Sequence, residues 1–437
     1  MFDAWKQRQR QRLENRPERT VFYNIFATMM LVLAVELLMA VASILAINVT
    51  EQLDENAKDL LTMRVRNRAS YVQEILRNAE DLEQLSEQIT ATTQQLLKSG
   101  DISLDTLDNG SEQSDALLVA LAPQLLDTLR TKQVTGIFLI LNTHDLDTCE
   151  VGKKMPGIYL RDMDPDARPS ERNSDLLLER ASATVVKELA IGTDKGWQPA
   201  FPYQGDTKGG ILRTVFQTAY KSDAGLSAES YGRWTTNSYC LAGDDRHAIA
   251  YSMPLILPDG TVYGVVGVEL LTDYLQTKLP FTELDEDKAG TYFIVTTTDD
   301  ALTDGVLSLR KTVTSGEDLV TADAPLGVLN CRSDGNGGNW AELNDKRYYM
   351  VLEPLQVYNR NAPFAAEKWF LAGTMEQSVL LAFSSRVREV LLTTIAITLV
   401  LSVLGSLLVS ARLARPINRL YREVIDAKEK KTFPRLS

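Results

Sequence analysis

Apolar residues are gathered into two long runs and follow a period elsewhere. The first run, Val21–Val49, holds a single charge, Glu36, and the second, Val390–Val409, holds none. A helix needs about 20 residues to cross the hydrocarbon core of a bilayer. The runs therefore predict transmembrane helices over 22–49 and 386–410. The first is too long for the ~7–15-residue core of a cleaved signal peptide and lacks a small-residue cleavage site after it. Glu36 is read either as a contact to a partner helix or as a carboxyl carried neutral at that depth. Gly405 and Ser406 give the second helix a place for close packing.

Between the runs, Val65, Ala69, Val72, Leu76, Ala79, Leu82, Leu85, Ile89 and Leu96 recur mostly three or four apart. That spacing puts one apolar stripe on one helix, predicted as a single stalk continuing from the membrane to Ser99. The period then changes. Val134–Leu141 is a short β-rich run, and 174–191 is predicted helical. Ala248–Leu257 and Thr261–Leu270 are two strands around Pro258-Asp259-Gly260, where proline and glycine set a hairpin turn. Leu271–Leu279 is helical and stopped by Pro280. Strands follow at Gly290–Thr298, Arg347–Leu352 and Lys368–Thr374, with Ser333–Asn339 a loose loop. A helix from Met375 to Arg388 leads into the second run. The fold class is α+β: a long N-terminal helix (50–114) and two tandem modules (115–282 and 283–385), flanked by two membrane helices.

Charge fixes the orientation. The tail 1–21 carries six Lys/Arg against three acids, and 411–437 carries eight against three. The chain as a whole is −12, so these tails of +3 and +5 leave −20 in the stretch between. Basic ends with an acidic middle fit both termini on the cytoplasmic side and exclude nucleic acid as a partner of the middle. Of the three cysteines, Cys149 and Cys240 flank one subdomain and are the expected disulfide if that region faces an oxidising compartment. His144, Asp145, Asp147 and Cys149 match no metal-ligand spacing closely and read as a solvated loop. Asp162, Asp164 and Asp166 alternate around Pro165 without the glycine and glutamate of a calcium loop. There is no phosphate-binding loop and no nucleophile elbow, so neither enzyme activity nor metal nor cofactor is expected.

Two segments, Tyr251–Leu270 and Trp369–Glu376, lying in this order between the membrane runs, carry a likeness. The chain resembles the double Cache receptors, bacterial extracytoplasmic sensors with two stacked PAS-like modules, over roughly residues 50–385. Ala411–Leu420, with basic residues, Pro416 and an amphipathic start, is similar to the opening of a HAMP linker. The resemblance implies a homodimeric receptor in the bacterial plasma membrane that binds a small molecule in its membrane-distal module. An output such as a histidine kinase, diguanylate cyclase or chemotaxis signalling domain is expected beyond this chain.

In the amino-acid-binding branch of that family an aromatic–arginine cluster takes the ligand carboxylate, and a tyrosine and an aspartate take the amine. By that resemblance the ligand-binding residues are Tyr231, Arg233, Trp234, Tyr251 and Glu269, with Arg161 and Asp162 as alternatives. The branch's arginine position falls on Gly232 and its second aromatic on Thr235, so an amine or other small polar metabolite stands beside an amino acid as the ligand. A two-pass adhesin or scaffold and a tethered hydrolase are the competing readings.

Overall fold

The computed structural model describes residues 23–38, 40–41, 49–150, 152–167, 175–203, 211–222, 225–284, 290–298, 302–303, 306–315, 328–335, 337–343, 346–358 and 362–430. Two compact units result: one from the chain's two ends, up to Ala57 and from Leu380, and one over Lys58–Val379.

In the larger unit, helix α2 (Val49–Glu80) buries Leu61, Val65, Ala69, Val72, Leu76 and Ala79, the stripe expected from the spacing. It lies along the second module. The Cβ that Gly373 lacks would stand 2.2 Å from Val65 Cγ2, so glycine there is what lets helix and strand touch. The expected single stalk is interrupted. Helix α3 (Glu83–Ser99) starts only after Asp81 and Leu82 leave helical geometry. No glycine or proline marks this break. Its cause is tertiary: Leu82 is buried, Asp81 is held by Lys132 at 2.7 Å, and the Glu80 carboxylate accepts from Trp234. Helix α4 (Glu112–Lys132) is capped by the Ser111 hydroxyl, which accepts from the Ser114 amide.

The first module is a sheet of β1 (Gly136–Leu141), β3 (Gly157–Asp162), β4 (Leu176–Arg180), β5 (Thr193–Gln198), β7 (Arg233–Trp234), β8 (Ala248–Ile256) and β9 (Val262–Leu271), in the order β5-β4-β3-β1-β9-β8-β7. A separate short pair joins β2 (Lys154–Met155) to β6 (Phe201–Pro202). The stretch 174–191, expected to be one helix, contains instead strand β4 and then helix α5 (Ala183–Leu189). Three leucines followed by Glu179 and Arg180 suit a strand buried on both faces, where the two charges find partners. Phe138, Ile140, Tyr159, Ala250 and Val265 pack on Phe201 and on Val215 and Phe216 of helix α6 (Arg213–Tyr220). The α3–α4 pair covers the sheet from another side, against β8, β1 and β3. The β8–β9 turn forms as expected, with Gly260 at φ 89° and the Thr261 amide donating to Asp259 Oδ1. Helix α7 (Thr272–Thr277) follows.

The second module comprises β10 (Gly290–Thr297), β11 (Leu302–Thr303), β12 (Val306–Ser315), β13 (Val328–Ser333), β14 (Asn339–Leu343), β15 (Lys346–Leu355) and β16 (Lys368–Glu376). Strand β10 pairs with both β16 and β12, so the sheet closes on itself through β15, β14 and β13. Closure satisfies strand edges that an open sheet would leave unpaired. Phe293, Val295, Leu309, Tyr348, Met350 and Ala372 form its core.

The expected Cys149–Cys240 disulfide is not formed, and both thiols are free. Cys149 lies over the Asp145 carbonyl near Lys153 and Asp108, whereas Cys240 lies beside Asp244 and Asp245. The two are held in different charged surroundings.

In the smaller unit, Tyr23–Leu38 (α1) is what is described of the first expected span together with residues 40–41. Its remainder and both tails, 1–21 and 431–437, lie outside the described residues. After helix α8 (Gln377–Leu380), α9 runs over Ala382–Lys430. Its segment Ala382–Ile417 is, among the described residues, the one helix long and apolar enough to cross a membrane. Met30, Leu33 and Leu37 face Leu399, Ser402 and Val403 across an apolar groove.

Candidate functional site

Strand alternation divides the five sequence-derived positions. Opposite residues of an antiparallel pair share a face. Trp234 pairs with Tyr251 and Tyr251 with Val268, while Ala250 pairs with Glu269. Trp234 and Tyr251 thus share one face, and Glu269 points to the other.

On its face Glu269 is fully buried and already bound. Both Arg161 and Glu269 sit opposite Gly136 on the strand between them. With no side chain at Gly136 they meet across it, Arg161 Nε and Nη2 donating to the two carboxylate oxygens at 2.7 and 2.8 Å. The Tyr159 hydroxyl adds a further hydrogen bond to Glu269. Arg161 Nη1 reaches Glu179 at 3.0 Å and Asp244 at 2.5 Å. Arg246 then binds Glu179, Asp194 and Asp244. Burial raises the Tyr159 and Glu179 pKa values, the former helped by Glu269. For Asp244, burial is outweighed by hydrogen bonds from Arg246 and Arg161, which hold it below the usual carboxylate range. The resemblance gave Glu269 to a ligand amine, but the protein's own guanidinium fills that role. A two-pronged, charge-assisted pair of this kind fixes geometry strongly.

The other face opens onto the seam between the modules. Arg233 binds Glu367 of the second module at 2.6 Å. The Trp234 amide donates to the Tyr358 hydroxyl at 3.1 Å. The Trp234 ring lies 5.7 Å from Tyr251 and 6.4 Å from Trp369 of β16, within the range of favourable aromatic contact. Trp234 Nε1 donates to Glu80 Oε1 at 2.6 Å. Tyr231 is turned away, its hydroxyl donating to Ser222 Oγ at 2.7 Å.

Here the helix break, the β7–β8 edge and the second module border an open cleft of about 460 Å³. Arg77, Glu80, Glu83, Glu229, Tyr251 and Tyr358 line it, with Asp81. Burial pushes the Glu80 carboxyl up to about 7, against the Trp234 hydrogen bond and the Arg77 charge. Burial likewise raises Glu229, and the charge of neighbouring Glu83 raises it further. Tyr251 is 6% exposed, and its own pKa is raised by burial and then by Glu80 and Glu229. Glycine at 232 is what admits its ring, because a Cβ there would lie 1.9 Å from the Tyr251 hydroxyl.

Of the sequence-derived set, then, Tyr251 lines this cleft with Trp234 packed against it, Arg233 lies on the seam, and Tyr231 and Glu269 are engaged elsewhere. Glu80, Glu83, Glu229, Tyr358 and Trp369 were not singled out as site residues. Of these, only Trp369 carried a signal, as the first residue of a segment bearing the family likeness. Among the described residues no group of three or more His, Cys, Asp or Glu is placed to hold a metal ion.

The chain matches no protein-family profile and no curated protein. Among solved structures it is similar to the periplasmic sensory domain of the Campylobacter jejuni chemoreceptor Tlp1, with 13% identity and a TM-score of 0.43 over 75% of this chain and 98% of that one. It is also similar to the ligand-binding domain of the Pseudomonas aeruginosa amino-acid chemoreceptor PctC in complex with GABA (13%, TM-score 0.35, 74% and 99%). A third similar structure is the ligand-binding domain of the Pseudomonas fluorescens chemoreceptor CtaA in complex with L-isoleucine (13%, TM-score 0.35, 76% and 98%). Identity and TM-score are both too low for these likenesses to fix a function.

Proposed function

We propose that this chain is the sensing portion of a transmembrane signal-transduction receptor of the double Cache kind. Its central region faces outward from a bacterial plasma membrane and takes a small molecule such as an amino acid, an amine or a similar metabolite. The signal leaves through α9 to a cytoplasmic output by way of a HAMP-type linker that begins near Ala411. One observation carries the reading: the first module rests on the second through Trp234 against Trp369 and Arg233 against Glu367. Trp369 lies at the start of β16 and Glu367 just before it, and in the chain β16 is followed at once by α8 and then by the long apolar α9. A shift of the first module therefore loads the strand that feeds the membrane helix. A ligand moves such an equilibrium only by its difference in affinity for the two arrangements. The exposed Leu60, Met63 and Tyr71 on α2 support a homodimer along the stalk; uncovered apolar positions at helical spacing suit a partner helix.

The test is a thermal-shift screen of the full chain in nanodiscs against amino acids, amines, organic acids and nucleobases. A saturable rise in melting temperature with one class is the expected result. No rise with any class would leave the scaffold reading standing in place of the sensor.

A further inference from the structure

We propose that the cleft at the helix break is a binding site for an organic ammonium ion, best a diamine, held by Glu80, Glu83, Glu229 and the Tyr251 hydroxyl. This deepens the sensor reading and rests on it for its purpose, though not for the binding itself.

Four observations carry it. First, the Tyr251 side chain is more than nine-tenths buried, yet its hydroxyl borders the cleft and has no hydrogen-bond partner among the described residues. A phenol in that position is an acceptor awaiting a donor. Second, the carboxylates are in excess. Glu80, Glu83 and Glu229 line the cleft with Asp81, and Arg77 is the one basic residue among its lining. Asp81 already has Lys132. Third, Glu83 and Glu229 line the same cleft, and the Glu83 charge is among the causes that raise the Glu229 pKa. Like charges set so close disfavour each other's ionised form, and a cation set among them would relieve that crowding. Fourth, the lining includes two aromatic rings, Tyr251 and Tyr358.

The chemistry then selects the ligand. An anion is repelled. A metal ion would need its ligands drawn close together, and no such group exists among the described residues. An alkylammonium supplies N–H donors to both carboxylates and phenol, and aromatic faces attract its charge. The cleft volume, about 460 Å³, lies within the ~300–1,000 Å³ range of small-molecule sites. The excess of carboxylates over the single Arg77 favours a dication over a monocation.

The experiment is isothermal titration of the full chain in nanodiscs at pH 8 with 1,4-diaminobutane, with butane-1,4-diol and magnesium chloride as controls. Saturable binding of the diamine alone is expected. Glu229→Gln and Tyr251→Phe, each checked for an unchanged melting temperature, should weaken it about tenfold and about threefold, as loss of a charge-assisted and of a neutral hydrogen bond would. No diamine binding, undiminished affinity in both variants, or magnesium binding in its place would overturn the proposal. If another compound raises the melting temperature and ignores both variants, the sensor reading survives and the cleft assignment falls.

Discussion

Glu80 gives the sharpest handle on the seam, because its titration can be removed without removing its hydrogen bond. Burial lifts its carboxyl from 4.5 to about 7. The folded chain therefore keeps that proton up to about pH 7, whereas the unfolded chain releases it near 4.5. The unfolded state binds fewer protons between those values, so Glu80 makes stability fall as pH rises through that window. The cost is absent below pH 4.5 and complete above pH 7. A shift of about 2.5 units is worth about 3 kcal/mol, reduced to about 1–2 kcal/mol by water at the cleft mouth. Glu80→Gln keeps an oxygen to accept from Trp234 Nε1 and cannot ionise. Urea titrations of both proteins in nanodiscs, followed by tryptophan fluorescence from pH 4.5 to 8, are the assay. The variant should match the wild type at the acid end and become the more stable by about 1–2 kcal/mol above neutrality. Parallel pH profiles, or a gap opening in the other sense, would refute the reasoning.

Gly232→Ala should cost about 1–3 kcal/mol by overpacking, since its methyl must displace the Tyr251 hydroxyl 1.9 Å away; the penalty should shrink in a Tyr251→Leu background, and an equal penalty in both backgrounds would argue against the contact. Glu269→Gln leaves the buried Arg161 guanidinium short of its main counter-charge and should cost about 3–5 kcal/mol in urea melts, while replacing both by apolar residues should cost less. A loss below about 1 kcal/mol would mean that the network contributes little.

The sequence pattern carried the large features and missed those set by tertiary contact. The α2 stripe, the β8–β9 hairpin with Gly260, and the strands around Tyr292, Tyr349 and Phe370 were legible because period and turn chemistry are local. Strand β4 was not: Leu176–Leu178 followed by Glu179 and Arg180 fits a helix equally well until Arg161 and Arg246 supply partners. Strands β12 to β14 were also unread, their alternation being diluted by polar and glycine-rich stretches. The break at Asp81–Leu82 leaves no mark because Trp234, Lys132 and burial of Leu82 impose it. The spatial arrangement of the sequence-derived site residues was not legible either. Arg233 and Trp234 both meet the second module, through Glu367 and through Tyr358 and Trp369, a long-range contact that no local pattern announces. Tyr251 and Glu269 are separated by the hairpin register, which puts them on opposite faces of the sheet.

The sensor reading places the acidic bulk of the chain outside the membrane and its basic tails inside. The direct measurement uses a chain with its three native cysteines replaced by serine and one new cysteine at Asp105 or at Arg419. Intact cells are treated with a membrane-impermeant maleimide. Labelling at position 105 in whole cells, and at 419 only after the membrane is opened, is the expected result. A protected 105 together with an accessible 419 would contradict the orientation, and with it the sensor.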